Sequence, residues 1–178
     1  MTKVYLAHSI STAGEYNDSK RVANEIRALG YEVYAAAEND SINDKSNEPT
    51  PIDIYNGDVS EIMSSDIFVV NLSGGHQDGT ISEIGVVAGV NEMRSMWAKE
   101  YDVQYTDIPI IAYTSNARLL QPQYYRGISS ASANHLVLGM IDRWGEFVGS
   151  EQNMIKKLED MGSDVTRRLV SLWTNSKD

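Results

Sequence analysis

Short apolar runs alternate along this chain with segments whose apolar residues recur every three to four positions. Four of these runs, Lys3–His8, Tyr31–Ala37, Ile67–Leu72 and Ile108–Thr114, are rich in residues that favour strands. Strands that alternate with helices form a parallel sheet with helices on both faces, because each right-handed crossover carries a helix from one strand to the next. The alternation therefore predicts an α/β fold.

The helical segments and the remaining strand follow from the same spacing. Helices are predicted over 16–29, 51–65, 80–96 and 151–172, with Gly30 ending the first and Ser150 capping the last. Loops or irregular segments are predicted at 38–50, 73–78 and 115–133. A fifth strand is predicted at Leu136–Met140, with Trp144–Val148 as a hairpin partner. We expect a single domain over 1–178 whose five-stranded parallel sheet is doubly wound in the order 2-1-3-4-5, as in flavodoxin- or Rossmann-like folds.

Two helices carry explicit predictions about which residues face the core. In the helix at 51–65 the inward residues are predicted to be Ile52, Tyr55, Val59, Ile62 and Met63. In the last helix they are predicted to be Met154, Leu158, Met161, Val165, Leu169 and Leu172.

Composition limits the classes of partner. The chain has 178 residues, enough for one domain with its own core, and no cysteine, which argues against a disulfide framework and favours the cytoplasm. Its net charge of −10 disfavours nucleic acid or an anionic membrane surface as partner. No apolar run is long enough to span a bilayer. The three histidines are scattered, so no metal site is predicted.

The fold itself predicts where a ligand binds. In such sheets ligands bind beyond the carboxyl ends of the strands, where the winding direction reverses, which here lies between the first and third strands. That point brings the segment His8–Ser11 beside the loop Ser73–Asp78. Gly75 and Gly79 allow a ligand to approach the backbone closely. The loop carries Asp78 and no Lys or Arg, so a neutral, hydroxylated ligand is favoured over a phosphate.

Glu83, near the start of the following helix, has two interpretations. Thr80 and Glu83 match the capping box, in which each side chain accepts a hydrogen bond from the other residue's backbone N–H group. Alternatively, Glu83 is a carboxylate on the first helical turn, its pKa held down by the helix N-terminus, and can attack a sugar carbon.

Three further residues also have a structural and a functional interpretation. Tyr5 is either a core tyrosine or one whose hydroxyl reaches the crevice. His8 is either an exposed loop histidine or part of the site. Asp58 is either on the solvated face of its helix or directed toward the ligand.

Four motifs in order resemble one family. They are Val4–Ala7 in the first strand, Glu38–Asn39 with Ile42–Ser46 after the second strand, Asp58 ahead of Ser65–Ile67, and Gly79–Gly85. Together they are similar to the nucleoside 2-deoxyribosyltransferases, and the resemblance covers about the first half of the chain. The C-terminal half matches more loosely, through Asn134.

The resemblance implies a mechanism and a set of site residues. Glu83 would attack C1′ of a 2′-deoxynucleoside to form a covalent deoxyribosyl-enzyme, Tyr5 would orient Glu83, and Asp58 would contact and protonate the base. Such enzymes exchange the base for a second free nucleobase and need no cofactor. The remaining substrate-binding residues are predicted to be His8, Ser9, Glu38, Gly75, Gln77, Asp78, Gly79 and Asn134.

The resemblance also implies a homo-oligomer with a shared site, dimeric or larger. Asn134 would be lent by a neighbouring subunit, and the aromatic-rich segment 115–133 is expected at the interface. One departure from the family pattern concerns Gln77, which stands where the family has an Asp that contacts the sugar, with Asp78 one position later.

Three alternative functions stay open at this stage. The first is a nucleoside or nucleotide N-glycosidase of the same architecture, for which Ser11 stands where a basic residue would help. The second is a cytokinin-activating phosphoribohydrolase, whose signature P-G-G-x-G-T-x-x-E resembles Ser73–Glu83 with extra residues between the glycines. The third is a non-catalytic nucleotide-sensing module, which needs no nucleophile.

Overall fold

The structure is a computed structural model that describes residues 1–44, 46, 48–73, 77–117, 119–120, 124–125, 128–129 and 133–175. At 124–125, 128–129 and 164–175 it describes the backbone alone. The strands are β1 Lys3–Ala7, β2 Glu32–Ala35, β3 Ile67–Asn71, β4 Ile110–Tyr113, β5 Tyr124–Tyr125, β6 Ile128–Ser129 and β7 Gly145–Gly149. The helices are α1 Ala13–Ala28, α2 Asp40–Asn43, α3 Pro51–Met63, α4 Asp78–Tyr101, α5 His135–Trp144 and α6 Glu151–Asn175, with a 3-10 turn at Ala36–Glu38.

The main sheet confirms the predicted architecture. Its five strands run β2-β1-β3-β4-β7 and every pair is parallel, which is the expected order 2-1-3-4-5. The short strands β5 and β6 form a separate antiparallel pair.

Alternation along β1 divides the core into two layers. Val4 and Leu6 pack with α1 and α6 on one face of the sheet, whereas Tyr5 and Ala7 pack on the other face with α3, α4 and α5. Since every one of these four side chains is at most 1% exposed, β1 is buried on both faces, as a central parallel strand should be.

The prediction of a strand at Leu136–Met140 is wrong. These residues belong to α5, in which Val137 and Ile141 are buried one turn apart while Leu136 is exposed. A short apolar run does not distinguish a strand from a helix by itself. The fifth strand of the sheet is β7, which pairs in parallel with β4 instead of forming a hairpin. Gly145 opens β7 so close to β4 that a Cβ there would lie 1.8 Å from the carbonyl oxygen of Ile110.

Helix α3 is less buried than its pattern predicts. Ile62 is buried, but Ile52, Tyr55 and Met63, which were expected to face inward, are exposed. The helix starts where Pro51 predicts it to start, with Thr50 forming a capping box to Asp53. Packing on the sheet therefore does not explain why these exposed positions are apolar.

Helix α6 begins as predicted. The backbone N–H of Asn153 donates to Ser150 Oγ at 3.3 Å, and Met154 and Leu158 are fully buried. The side chains at the predicted core positions 165, 169 and 172 lie outside the described part of the chain. Most of the segment 115–133 also lies outside it. No helix within the described residues has the length and apolar character needed to cross a membrane.

Asn91 ties the middle of α4 to the entrance of β4. Its side-chain Nδ2 donates to the carbonyl oxygen of Ile108, and the N–H of Ile108 donates to Asn91 Oδ1, both at 2.9 Å. Asn91 is fully buried and Ile108 nearly so, which makes this amide pair a fixed link between the helix and the sheet.

Candidate functional site

A cavity of about 240 Å³ opens beyond the carboxyl ends of β1 and β3, where the winding of the sheet reverses. The segment His8–Ser11 forms one side, and the first turns of α4 form another through 77–80 and Glu83. The remaining lining residues are Ala36, Ile42, Asn43, Ile54 and Asp58. The cavity therefore lies at the position that the predicted topology assigns to a ligand.

Tyr5 holds Glu83 at this cavity. Its hydroxyl donates a hydrogen bond to Glu83 Oε1 at 2.7 Å. The Tyr5 ring is fully buried and packs against the rings of Phe68 and Tyr34, with centroids 5.4 and 5.1 Å away. Because the tyrosine is fixed on both sides of its ring, the carboxylate that accepts its hydrogen bond is held in one orientation.

The capping-box interpretation of Glu83 is wrong. Helix α4 begins at Asp78 after Gln77, two residues earlier than predicted, so Thr80 lies inside the helix and does not cap it. The prediction that the helix N-terminus lowers the pKa of Glu83 is also wrong: burial raises this pKa to about 7, although the hydrogen bond from Tyr5 opposes the rise. Glu83 stands in the second turn, beyond the range in which the helix dipole is strong.

Asp58 is held in the same way by a second tyrosine. Tyr34 donates its hydroxyl hydrogen to Asp58 Oδ1 at 3.1 Å and accepts a hydrogen bond from Asn39 Nδ2 at 3.1 Å. Asp58 is half-buried, and this burial, with a smaller contribution from the charge of Glu61, raises its pKa. The interpretation of Asp58 as a residue on a solvated face is therefore wrong.

The two tyrosines are register partners in the sheet. Tyr5 on β1 lies directly opposite Tyr34 on β2, so each of two neighbouring strands supplies one hydroxyl to one carboxylate. The charge of Asp58 contributes to the raised pKa of Glu83. Ionisation of Asp58 therefore disfavours ionisation of Glu83, which suits a site that needs one protonated and one ionised carboxyl group.

Five other predicted substrate-binding residues line the cavity: His8, Ser9, Gln77, Asp78 and Gly79. His8 is buried, which contradicts its interpretation as an exposed loop residue. Its Nδ1 lies 2.6 Å from the carbonyl oxygen of Ser9, and its Nε2 lies 2.9 Å from the side-chain nitrogen of Asn71 and 3.2 Å from Asp18 Oδ2. Gln77 donates from its side-chain Nε2 to the carbonyl oxygen of Asn71 at 2.9 Å, which ties the start of α4 to the end of β3.

Two predicted substrate-binding residues, Glu38 and Asn134, have other surroundings, and a third cannot be placed. Glu38 forms an ion pair with Arg27. Asn134 caps α5, because its Oδ1 accepts a hydrogen bond from the N–H of Leu136 at 2.8 Å. Gly75 lies outside the described residues. That Asn134 reaches the site of a neighbouring subunit stays a prediction.

The sequence reasoning missed the wall formed by Ala36, Ile42, Asn43 and Ile54. The segment 38–50 was predicted as a polar loop, yet it contains α2, which carries two of these residues. Asn43 is held by a hydrogen bond from its Nδ2 to the carbonyl oxygen of Ala36 at 2.6 Å. The available signal was Ile42, the one large apolar residue within that polar stretch.

The described lining is acidic. It contains Asp58, Asp78 and Glu83, and no Lys or Arg is among the lining residues that the structure describes. Two nearby arginines are already engaged: Arg21 pairs with acidic side chains including Asp18, and Arg27 pairs with Glu38. Within the described part of the chain, no three His, Asp or Glu side chains converge in a way that could hold a metal ion. The arrangement suits a neutral ligand with hydroxyl groups and a ring that can be protonated.

This chain is similar to known proteins in sequence and in fold. A family model described as nucleoside 2-deoxyribosyltransferase matches residues 4–140. A comparison with curated protein sequences finds no match.

Three solved structures are similar to this chain. A conserved protein from Enterococcus faecalis V583 is 25% identical, with 90% of this chain and 99% of that chain covered and a TM-score of 0.70. A CMP N-glycosidase from Clostridium botulinum is 16% identical, with 89% and 98% covered and a TM-score of 0.52. A 2-deoxyribosyltransferase from Bacillus psychrosaccharolyticus is 16% identical, with 65% and 74% covered and a TM-score of 0.48. The first two share the fold of this chain over most of its length.

Proposed function

This chain belongs to the nucleoside 2-deoxyribosyltransferase family, and we propose that it cleaves the N-glycosidic bond of a 2′-deoxynucleoside and transfers the sugar to a second nucleobase. The observation that carries the proposal is the pair of tyrosine-held carboxylates, Glu83 and Asp58, lining one cavity. Glycosyl transfer with retention needs one carboxylate as nucleophile and one acid to protonate the leaving group.

In the first step Glu83 attacks C1′ of the sugar. The carboxylate oxygen forms a bond to C1′ while the C1′–N bond to the base breaks and its electron pair leaves with the base. Tyr5, which donates to Glu83 Oε1, directs the other oxygen of the carboxylate toward the sugar. The result is a covalent deoxyribosyl ester of Glu83.

Asp58 supplies the proton that the leaving base requires. A nucleobase leaves poorly as an anion, and a proton delivered to a ring nitrogen removes that obstacle. Because burial raises the pKa of Asp58, this carboxyl is suited to hold a proton in the cavity. When a ring nitrogen of the bound base accepts a hydrogen bond from Asp58, the protonated form of Asp58 is favoured. Glu83 is then the carboxyl group that is ionised.

In the second step a free base attacks C1′ from the side that the first base left. The ester bond to Glu83 breaks and Asp58 takes up the proton from the incoming ring nitrogen. Two displacements restore the original configuration at C1′. Ile42 and Ile54 line the same cavity as Asp58 and offer apolar surface, against which a planar base is expected to lie.

A product analysis tests the proposal. The protein is incubated with single 2′-deoxynucleosides, with and without a second free base, and the products are separated by chromatography. Formation of the exchanged nucleoside supports the proposal, whereas free deoxyribose formed at the same rate with and without an acceptor base would assign the protein to the N-glycosidases. Glu83→Ala is the control and should form neither product. No cleavage of any nucleoside by the wild-type protein would refute both activities.

The acidic cavity also predicts that a nucleoside is preferred to its 5′-monophosphate. Two like unit charges about 6 Å apart at an effective dielectric constant of 20 repel by roughly 3 kcal/mol, which is on the order of a hundredfold in binding. Competition between a deoxynucleoside and its 5′-monophosphate measures this preference. A protein that favours the monophosphate would contradict the assignment of a neutral substrate.

A further inference from the structure

The side chain of Asn39 has its two polar atoms in two different parts of the site. Its Oδ1 accepts hydrogen bonds from the backbone N–H of Ser41 at 3.1 Å and from the Ser41 hydroxyl at 2.5 Å, which caps α2. Its Nδ2 donates to the hydroxyl oxygen of Tyr34 at 3.1 Å. Because a backbone N–H can only donate, the bond from Ser41 fixes which end of the amide is oxygen, and the nitrogen must face Tyr34.

The donor from Asn39 fixes the direction of the next hydrogen bond. A phenol hydroxyl has one hydrogen, and the oxygen of Tyr34 already accepts the amide hydrogen of Asn39. Its own hydrogen therefore goes to Asp58 Oδ1, 3.1 Å away. The two bonds run in one direction, from Asn39 through Tyr34 to Asp58. Since an amide does not titrate, this direction is the same whether Asp58 is ionised or protonated.

This direction decides which oxygen of Asp58 can carry a proton. Oδ1 accepts the hydrogen of Tyr34, so a proton on the same oxygen would compete with that bond. A proton on Asp58 therefore belongs on Oδ2, for which the described part of the chain supplies no hydrogen-bond partner. Because Asp58 lines the cavity, Oδ2 is the oxygen that is left for a ligand.

The need for a donor explains why an asparagine caps α2. Serine, threonine, aspartate and asparagine are all good capping residues. Of these four, only asparagine offers an acceptor oxygen and a separate NH2 donor. Helix α2 carries Ile42 and Asn43 of the cavity wall, so the amide of Asn39 both holds this wall and directs the carboxyl group that faces the same cavity.

We propose that Asn39 is a positioning residue that keeps the transferable proton of Asp58 on Oδ2, directed at the ring nitrogen of the base. The assignment rests on the proposed function, in which Asp58 protonates the leaving base. Without a donor at position 39, Tyr34 can turn its hydrogen away from Asp58 and accept a hydrogen bond from it instead. The proton of Asp58 then lies on Oδ1, between Asp58 and Tyr34, and the base must leave without it.

The substitution Asn39→Asp reverses this direction with almost no change in shape. One carboxylate oxygen keeps the cap on Ser41, and the other accepts the hydrogen of Tyr34, because a carboxylate cannot donate. For an ordinary deoxynucleoside we expect kcat to fall about 10- to 100-fold with little change in KM, as part of the roughly 10²- to 10⁴-fold that a positioned acid contributes. For 2′-deoxy-5-fluorouridine, whose base leaves readily without a proton, the fall should be much smaller.

Two further variants separate the lost donor from added charge. Asn39→Ser is neutral, keeps a capping residue and removes the donor, so it should show the same dependence on the leaving base with a smaller loss. Asn56→Asp is the matched control, because it makes the same amide-to-carboxylate change at an exposed position of α3, two residues from Asp58, and changes no partner of Tyr34. It should keep the wild-type kcat for both substrates, and circular dichroism should show all variants as helical as the wild type.

A double variant tests the direction of the bonds itself. Tyr34→Phe removes the hydroxyl that diverts the proton, so Asn39→Asp combined with Tyr34→Phe should be more active than Asn39→Asp alone. Losses that add in the double variant, an equal loss on both substrates, or an Asn39→Asp protein as active as the wild type would overturn the role of Asn39 and leave the proposed function standing. A wild type that cleaves no nucleoside would refute the proposed function and this assignment with it.

Discussion

Replacing Glu83 with glutamine should stabilise the folded protein, and the gain should grow with pH. In the folded state burial raises the pKa of Glu83 from its ordinary value of 4.5 to about 7. Between these values the folded protein binds a proton that the unfolded chain has released, so wild-type stability falls as the pH rises from below 4.5 to above 7. At about 1.4 kcal/mol for each pH unit, the full loss is about 3 kcal/mol.

Glutamine keeps an oxygen for the hydroxyl of Tyr5 and does not titrate, so Glu83→Gln escapes this loss. Urea unfolding of both proteins between pH 4 and pH 8.5 measures the difference in free energy of unfolding. We expect a difference that rises by about 3 kcal/mol across the window and levels off above pH 7. Glu92→Gln, at an exposed position of the same helix, is the matched control. A difference for Glu83→Gln that is constant with pH, or equal to that of Glu92→Gln, would refute the burial of an ionisable Glu83.

Three further predictions concern the partners of these groups. Tyr5→Phe keeps the buried ring and removes the hydrogen bond to Glu83, so kcat/KM for nucleoside cleavage should fall about 10- to 100-fold, in line with about 1.5–3 kcal/mol for a hydrogen bond to a charged group; an unchanged kcat/KM would contradict the orienting role of Tyr5. Asp58→Asn should lower the rate by about 10²- to 10⁴-fold for an ordinary nucleoside but much less for one whose base is acidic and leaves readily, such as 5-fluorouracil, and equal losses for both would exclude Asp58 as the acid. Asn91→Leu leaves the buried N–H and carbonyl groups of Ile108 without partners and should lower the free energy of unfolding by about 2–5 kcal/mol in urea titrations; a change below about 1 kcal/mol would show that the link between α4 and β4 is dispensable.

The sheet could be predicted from the sequence because its strands are buried apolar runs, separated by segments whose apolar residues recur at helical spacing. The segments that were predicted wrongly have local physical causes. The run Leu136–Met140 is apolar enough for a strand, and only the burial of Val137 and Ile141 on one side shows it to be helical. The following strand β7 begins with glycine, and none of its residues is fully buried. Its sequence therefore resembles that of a turn and not that of a buried strand.

The candidate site was predictable to the extent that it depends on topology and on motifs. Topology brings Tyr5 and Glu83 to one crevice, and the family resemblance identifies them together with Asp58. The raised pKa of Glu83 was not predictable, because its position near the start of the helix suggests a lowered pKa and only its burial raises it. Tyr34 was not identified either, since the requirement for a second hydroxyl appears only once the register of β1 and β2 is known.

That register has a consequence for how the protein can change. The two carboxylates are held from neighbouring strands, whose separation of about 4.8 Å is a property of every sheet and does not depend on loop length. Two residues of the cavity wall, Ile42 and Asn43, are carried by the short helix α2 within a polar segment. Insertions, deletions or grafts in that segment should therefore alter which base is accepted while the spacing of the reacting groups is preserved, so substrate range and chemistry can be engineered independently on this scaffold.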